Sequence, residues 1–487
     1  MSYQHGIYIQ ENPTSVTPPI VSDSGVQVVV GTAPINLAKN PSAVVNKPIT
    51  AYSWKEAVEN LGYSDDWDNY TLCEVMDASF RRIGVAPVIF INVLDPEVHK
   101  ATGTETLALS GGEGTIETFG VLLDSLVIKD SEGVTTYTKG IDYLVAFNSD
   151  GYPVISIIDG GLITLETVEL KVEFNKLDPS LVKDLDIIGG YDLATNKYTG
   201  LELVGQVYPM LGIVPGLILT PGHSQKPEVA TVIDVKSEAI NGSFNCMNVL
   251  DIDSSTVTSY QDAPAWKNSN AYTSKRSILC WPKVKIGDKV YWFSSIIAAL
   301  TAYTDAQNDN VPYVSPSNKA IPISATVLAD GVTEVYLDQL QANFLNGAGI
   351  VTAININGWR AWGNNTAAYP STTDPKDRFI PIRRVFDWWG NTFILTYFQK
   401  VDDPANYRLI ESIVDSENIR GNGLQARGQI AGAKIEFREE DNPVTDILNG
   451  SIRFIQKIAA FPPAENIINV LEFDPTMLQN ELFGGGQ

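Results

Sequence analysis

The sequence closes on a strand that has no evident place in its own core. Phe461-Pro462-Pro463-Ala464-Glu465-Asn466-Ile467-Ile468-Asn469-Val470-Leu471-Glu472-Phe473-Asp474-Pro475 is rich in β-branched and aromatic residues and is fenced by proline at both ends. That is the composition of a β-strand bounded by breakers. At the other end, Gly6-Ile7-Tyr8-Ile9-Gln10-Glu11 reads as a second short strand, followed by Asn12-Pro13-Thr14-Ser15-Val16-Thr17-Pro18-Pro19. A strand on a proline-rich, extended leash cannot easily join its own core. Its N–H and C=O groups need a ladder elsewhere, so such ends are expected to pair with neighbouring chains. The candidate inter-subunit arms are therefore Gly6, Ile7, Tyr8, Ile9, Gln10 and Glu11 at one end. At the other they are Ile467, Ile468, Asn469, Val470, Leu471, Glu472 and Phe473.

At 487 residues the chain exceeds what one core accommodates, so two to four domains are expected. The formal net charge of −23 argues against wrapping nucleic acid, because phosphate binding needs clustered Lys and Arg. No apolar run approaches the roughly 18 residues of a membrane span, so no stable membrane insertion is expected. The start has neither a basic n-region nor an apolar h-region, and a protein kept in a cytoplasm is expected. Cys73, Cys246 and Cys280 form no Cys-x-x-Cys pair and each sits in an apolar segment, which predicts buried free thiols.

Val26–Ala33 reads as a buried strand ending in a turn. Ser53-Trp54-Lys55-Glu56 is a capping box, with Trp54, Val58 and Leu61 on one helical face and Gly62 as the stop. A second helix is expected over about 71–83, followed by a near-continuous apolar strand, Pro87–Leu94, of the kind buried on both faces. From 99 to 177 the texture changes to short strands between Gly and Asp turns, a small β-sandwich or barrel. The α/β pattern then resumes, with strands at Leu217–Thr220 and Asn248–Ile252 around a helix at 226–240. A β-prone patch near 320–357 is expected to link to the last domain. There, helices are expected at 383–399 and about 404–419, a strand at 431–438, and a short helix between Asn442-Pro443 and Gly450. The expected fold class is thus a multidomain α/β and α+β protein. It comprises an extended arm at 1–22, an α/β domain from 23–98 and 178–356, an inserted all-β domain at 99–177, an α+β domain at 357–463, and a strand arm with flexible tail at 464–487.

A search for chemistry finds none. His5, His99 and His223 lack a Ser, Cys or metal partner at recognisable spacing. No phosphate-cradling glycine motif follows a strand; Gly111-Gly112-Glu113-Gly114 reads as a hairpin loop and Gly421-Asn422-Gly423 as a turn. Asp251-Ile252-Asp253-Ser254-Ser255 superficially resembles a cation loop at a strand end, but capping of the next helix is the simpler reading. Asp65-Asp66-Trp67-Asp68 reads as a solvated acidic loop. Trp54, Trp281, Trp292, Trp388 and Trp389 fall within regular patterns, where core packing is expected. No catalytic residue, cofactor or metal site is expected.

Several segments carry a family likeness. They are the start, His5-Gly6-Ile7-Tyr8-Ile9-Gln10-Glu11, leading to Gly31-Thr32-Ala33-Pro34; Ala78-Ser79-Phe80-Arg81-Arg82-Ile83-Gly84 followed by the strand at 87–94; and Cys280-Trp281-Pro282-Lys283-Val284 with Ser294-Ser295-Ile296-Ile297-Ala298-Ala299. Tyr303-Thr304-Asp305, Val314-Ser315-Pro316-Ser317-Asn318-Lys319 and Trp359-Arg360-Ala361-Trp362-Gly363 follow. Arg383-Arg384-Val385-Phe386-Asp387 and the Pro462–Ile467 stretch complete the series. In this order they resemble the tail sheath proteins of contractile injection systems, which include contractile-tailed bacteriophages and phage-tail-like bacteriocins. The likeness covers most of the chain except 99–177. Gly390, inside the helix that begins at Arg383, and Ser-Pro-Ser-Asn in place of Ala-Pro-Ala-Asn depart from the family pattern.

The resemblance implies stacked six-membered rings forming a helical sleeve around a tail tube, with no enzymatic activity and no cofactor. The implied partners are the chain itself, a tail tube protein, and baseplate and tail terminator proteins, with no direct nucleic acid. The implied place is a virion tail or bacteriocin particle assembled in the host bacterial cytoplasm. Arg408, Arg420 and Arg427 offer positive charge in an acidic protein and are candidates to face the tube; ordinary solvated arginines are the alternative. Two other readings compete, a type VI secretion-like sheath and a non-catalytic carbohydrate-binding β-rich protein.

Overall fold

The structure is a computed structural model that describes residues 20–21, 23–193 and 196–483. The expected arm at Gly6–Glu11, His5 and the terminal glycines lie outside the described residues. The chain is a mixed α/β multidomain protein built around an eight-stranded sheet. Across the sheet the strands run Trp359–Trp362, Ile350–Asn355, Ser277–Cys280, Met247–Asp251, Leu217–Leu219, Gln27–Gly31, Val88–Asn92 and Pro48–Ala51. The inner pairings are parallel and the two outermost are antiparallel. Along Gln27–Gly31, Val29 enters one hydrophobic cluster while Val28 and Val30 enter another. Burial on both faces is why these strands read as unbroken apolar runs.

The helices obey their local signals. Ser53 accepts the Glu56 N–H to open Trp54–Leu61, and Gly62, at φ 71°, closes it. Thr71–Met76 runs directly into a π-helical turn, Asp77–Ile83, ended by Gly84. Phe293–Ala306 is the central helix, with twelve of its fourteen residues buried. A helix buried all round needs small residues where backbone approaches. A Cβ on Gly25 would lie 2.6 Å from the Ala302 Cα, so only glycine fits there.

Residues 100–177 form a three-stranded and a four-stranded sheet whose inner side chains, Leu107, Ile128, Tyr143, Ile155, Leu170, Val172 and Phe174 among them, share one cluster. A leash pairing was not expected: Ile20–Val21 lies parallel to Val85–Ala86 of the same chain. The boundary expected at 357 also falls inside the main sheet. Asn357 and Gly358 both adopt positive φ, and this turn folds Trp359–Trp362 back onto Ile350–Asn355 as the edge strand.

Beyond it lie helices Ile380–Tyr397 and Tyr407–Ala426 and an antiparallel hairpin, Gly432–Glu436 with Ile455–Ala459. Gly421-Asn422-Gly423, expected as a turn, is helical. A Cβ at Gly421 would stand 3.0 Å from the Ala433 Cβ and 3.2 Å from its carbonyl oxygen, so that glycine lets the helix backbone approach the hairpin. The stretch Ile467–Phe473, expected as a strand, has no ladder partner among the described residues and carries no regular structure. A helix not expected from the sequence, Pro475–Phe483, follows it. Its signal was present: the Asp474 carboxylate accepts the Thr476 N–H at 2.8 Å, and proline occupies the first helical position.

Candidate functional site

The carboxyl ends of parallel strands are where open α/β sheets ordinarily leave a ligand crevice. Here that place is filled. Asp251, at the end of its strand, accepts the Ser294 N–H at 3.0 Å and the Ser294 hydroxyl at 2.5 Å. Glu74 accepts the Trp292 N–H at 2.9 Å and the Ser295 hydroxyl at 2.5 Å. Two buried carboxyls thus cap the central helix from two different elements. Asp251 is a cap as expected, though of a helix some forty residues on rather than the next one. Burial pushes Asp251 up to about 6 and Glu74 up to about 8, outweighing the hydrogen bonds that hold them down.

The remaining titratable candidates are equally committed to structure. Burial, and then the neighbouring Lys226, drives His223 down to about 4, which leaves the imidazole neutral. His99 accepts the Asp95 N–H through Nδ1 at 3.0 Å. All three cysteines are buried and free, and burial pushes the Cys73 thiol up to about 12, the opposite of an activated nucleophile. Among the described residues no group of three or more His, Cys, Asp or Glu is placed to hold a metal. Trp281 and Trp389 are core residues, at 0% and 1% exposure.

A second set of polar groups that join distant parts of the chain lies along helix Ile380–Tyr397. Arg384, buried, makes a two-pronged ion pair with the buried Asp305 at the end of the central helix. Asp305 also accepts the Ser24 hydroxyl at 2.8 Å, and the Asp23 N–H reaches Asn310 at 3.0 Å. One carboxylate therefore ties together the root of the N-terminal leash, the central helix and the C-terminal helices. Beside it, Asp387 pairs with Arg276 at 2.6 Å and with Arg383 at 2.8 Å, and Arg383 also reaches Asp377 at 3.1 Å. Sequence patterning reads Arg383-Arg384…Asp387 as one turn of helix; which carboxylate each arginine meets depends on contacts up to 79 residues away.

Of the three candidate tube-facing arginines, all on or just after Tyr407–Ala426, Arg408 and Arg427 are exposed and have no ion-pair partner among the described residues. Arg420 is occupied: Nη1 donates to Glu417 at 3.2 Å, and the guanidinium stacks over Trp388 and Trp389. The arm candidates at 467–473 stand in solvent, with Ile467 at 85%, Leu471 at 86% and Phe473 at 80% exposure. The hairpin Gly432–Glu436/Ile455–Ala459 that precedes them is a sheet of only two strands; the outer edge of Gly432–Glu436 is taken by Asn418, which bonds both the N–H and the carbonyl of Ile435, while the outer edge of Ile455–Ala459 has no strand partner among the described residues.

Comparison with known proteins follows the same line. No protein-family model matches the chain. It is 30% identical over 481 residues to the tail sheath protein of Burkholderia phage BcepMu, covering 96% of both chains. It is 24% identical over 296 residues to the tail sheath protein of Escherichia phage P2, covering 58% of this chain and 69% of that one. A chain in the cryo-electron microscopy structure of the anti-feeding prophage baseplate has a like fold at a TM-score of 0.59, with 15% identity, covering 97% of this chain and all of that one. The crystal structure of a sheath tail protein from Desulfitobacterium hafniense matches at a TM-score of 0.50 and 12% identity, over 94% of this chain and all of that one. At 30% identity over 96% of both chains to the BcepMu tail sheath protein, the chain belongs to the contractile phage tail sheath family, structural, non-enzymatic proteins of the virion tail.

Proposed function

We propose that the chain polymerises as six-membered rings stacked into a helical sleeve around a tail tube, and that the sleeve contracts to drive the tube through a target cell envelope. The observation that carries this is the C-terminal arm. It presents five large apolar side chains between 467 and 473 to solvent, following a two-stranded sheet whose Ile455–Ala459 edge has no strand partner among the described residues. Contiguous exposed apolar surface of this kind marks an interaction site. The arm from 464 to 483 holds Glu465, Glu472, Asp474 and Glu481 and no basic residue, whereas the two hairpin strands carry Lys434 and Lys457 against the single Glu436. That complementarity supports pairing of one copy's arm with another copy's hairpin. The baseplate structure with a like fold is six-fold symmetrised, which supports the ring order.

Each donated strand would add about four to six ladder hydrogen bonds of about 1 kcal/mol, enough to tether subunits while they turn. Contraction that buries a further ~300 Å² of apolar surface per subunit would release about 7 kcal/mol at ~25 cal/mol per Å², before the cost of ordering. In this reading residues 99–177 are an outward decoration inserted in the α/β domain, and Arg408 and Arg427 are the better candidates to face the tube. A tube protein, a baseplate and a tail terminator are the expected partners, and assembly takes place in the host cytoplasm. Negative-stain electron microscopy of the concentrated protein, alone and with co-expressed tube protein, is the test. Striated hollow tubes or stacked rings are expected; monomers under both conditions would overturn the reading.

A further inference from the structure

The C-terminal arm leaves the body beside a groove of about 690 Å³ walled by Ser317, Asn343, Asn346, Trp362 and Tyr369, with Ala464, Glu465 and Asn466 along one side. Among the described residues, one polar side-chain contact ties the stretch 460–483 to the rest of the chain. Arg378 donates from Nη2 to the Glu465 carboxylate at 2.7 Å, across 87 residues of sequence. Arg378 is already held for the task. Its Nε donates to Asn365 at 2.8 Å, and its guanidinium lies 4.4 Å from the centre of the Tyr369 ring and 4.5 Å from that of Phe379. Asn365 is itself fixed by donating to the Asn346 carbonyl at 3.0 Å. A planar fork stacked on aromatic rings and bonded on one edge presents its other edge in a set direction. The residues just beyond, Asn466 to Phe473, are exposed.

From this we propose that Arg378 is a positioning residue for assembly: its hold on Glu465 fixes the direction in which the arm leaves the subunit, so that the arm is presented to a second copy. The inference rests on the reading of 464–483 as a donated arm. An arm free to sample many directions is competent in only a fraction of them, and its apparent affinity falls by that fraction. Clamping the root restores the fraction without adding any contact to the neighbour.

The test uses the full chain. Because Cys73, Cys246 and Cys280 are buried, an Asn466→Cys variant takes a nitroxide label selectively, and electron paramagnetic resonance of the dilute, unassembled subunit reports arm motion. Glu465→Ala should shorten the label's correlation time about twofold or more, Arg378→Lys should do so partly, and Glu472→Ala should leave it unchanged. Without the label, Glu465→Ala should raise the protein concentration at which sleeves sediment about threefold or more. The thermal melt of the body should not move, since among the described residues Glu465 makes its side-chain contact with Arg378 alone. An unchanged spectrum in Glu465→Ala overturns the clamp. A mobile label with an unchanged sedimentation threshold overturns its role in assembly. Normal sleeves from a chain lacking residues 466–483 would instead overturn the donated-arm reading, a separate result.

Discussion

Replacing Glu74 by Gln should remove much of the pH dependence of stability. Glu74 is 3% exposed, and its Oε1 accepts two hydrogen bonds, from the Trp292 N–H and the Ser295 hydroxyl. An amide oxygen can accept both, so the cap survives while the ionisable group goes. Burial raises the carboxyl from its ordinary 4.5 to about 8. Between those values the folded chain holds a proton that the unfolded chain has released. Stability from this group is therefore fully present below pH 4.5 and is lost as the pH rises through 8. At about 1.4 kcal/mol for each tenfold difference in proton affinity, the loss is on the order of 4–5 kcal/mol. Urea denaturation followed by circular dichroism at about pH 5 and pH 8.5 measures it. The wild type should weaken on going to the higher pH, and Glu74→Gln should recover about 3–5 kcal/mol of that. A smaller residual slope should remain from Asp251, raised from 3.8 to about 6, whose loss is complete by roughly pH 7. If the two proteins weaken in parallel across this range, Glu74 is already ionised in the fold, and the account of the capped sheet end is wrong.

The ion-pair seam makes a second prediction. Arg384→Met strands the buried Asp305 carboxylate and should cost about 3–5 kcal/mol, whereas Arg384→Met with Asp305→Leu should cost markedly less, a contrast read by a double-mutant cycle in denaturant. Two glycines in long helices should respond oppositely. A methyl group on Gly390 would meet no heavy atom within 4 Å, so Gly390→Ala should stabilise the free subunit by about 1 kcal/mol. Gly421→Ala meets Ala433 at 3.0 Å and should instead destabilise it by about 1–2 kcal/mol despite the same gain in helix propensity, as thermal melts of the two variants would show. Removing residues 1–19 should leave folded subunits that form no sleeves, because that leash bears the other candidate strand; normal tubes from the truncated chain would refute the tether.

Local composition determined a good deal of this protein. Alternation and apolar runs located Gln27–Gly31, Val88–Asn92, Leu217–Leu219 and Met247–Asp251, because strands buried on both faces leave no choice of side chain. Ser53 and Gly62 located a helix, because caps act within one turn. The sequence held no nucleophile motif, phosphate loop or metal spacing, and it offered the proline-fenced ends as candidate arms for the proposed assembly. Tertiary structure alone decided the rest. Gly421-Asn422-Gly423 carries turn residues yet is helical, because the hairpin's Ala433 requires a helix face without a side chain. Asp251 caps a helix that begins 43 residues later, and Arg384 finds Asp305 across 79 residues. Arg378 and Glu465 are 87 apart, and only the packing of Asn365, Tyr369 and Phe379 makes them a pair. The division has a physical cause. Hydrophobic period and capping are fixed by residues within a turn or two of one another, whereas ion pairs and close backbone approaches depend on which surfaces the completed sheet brings together.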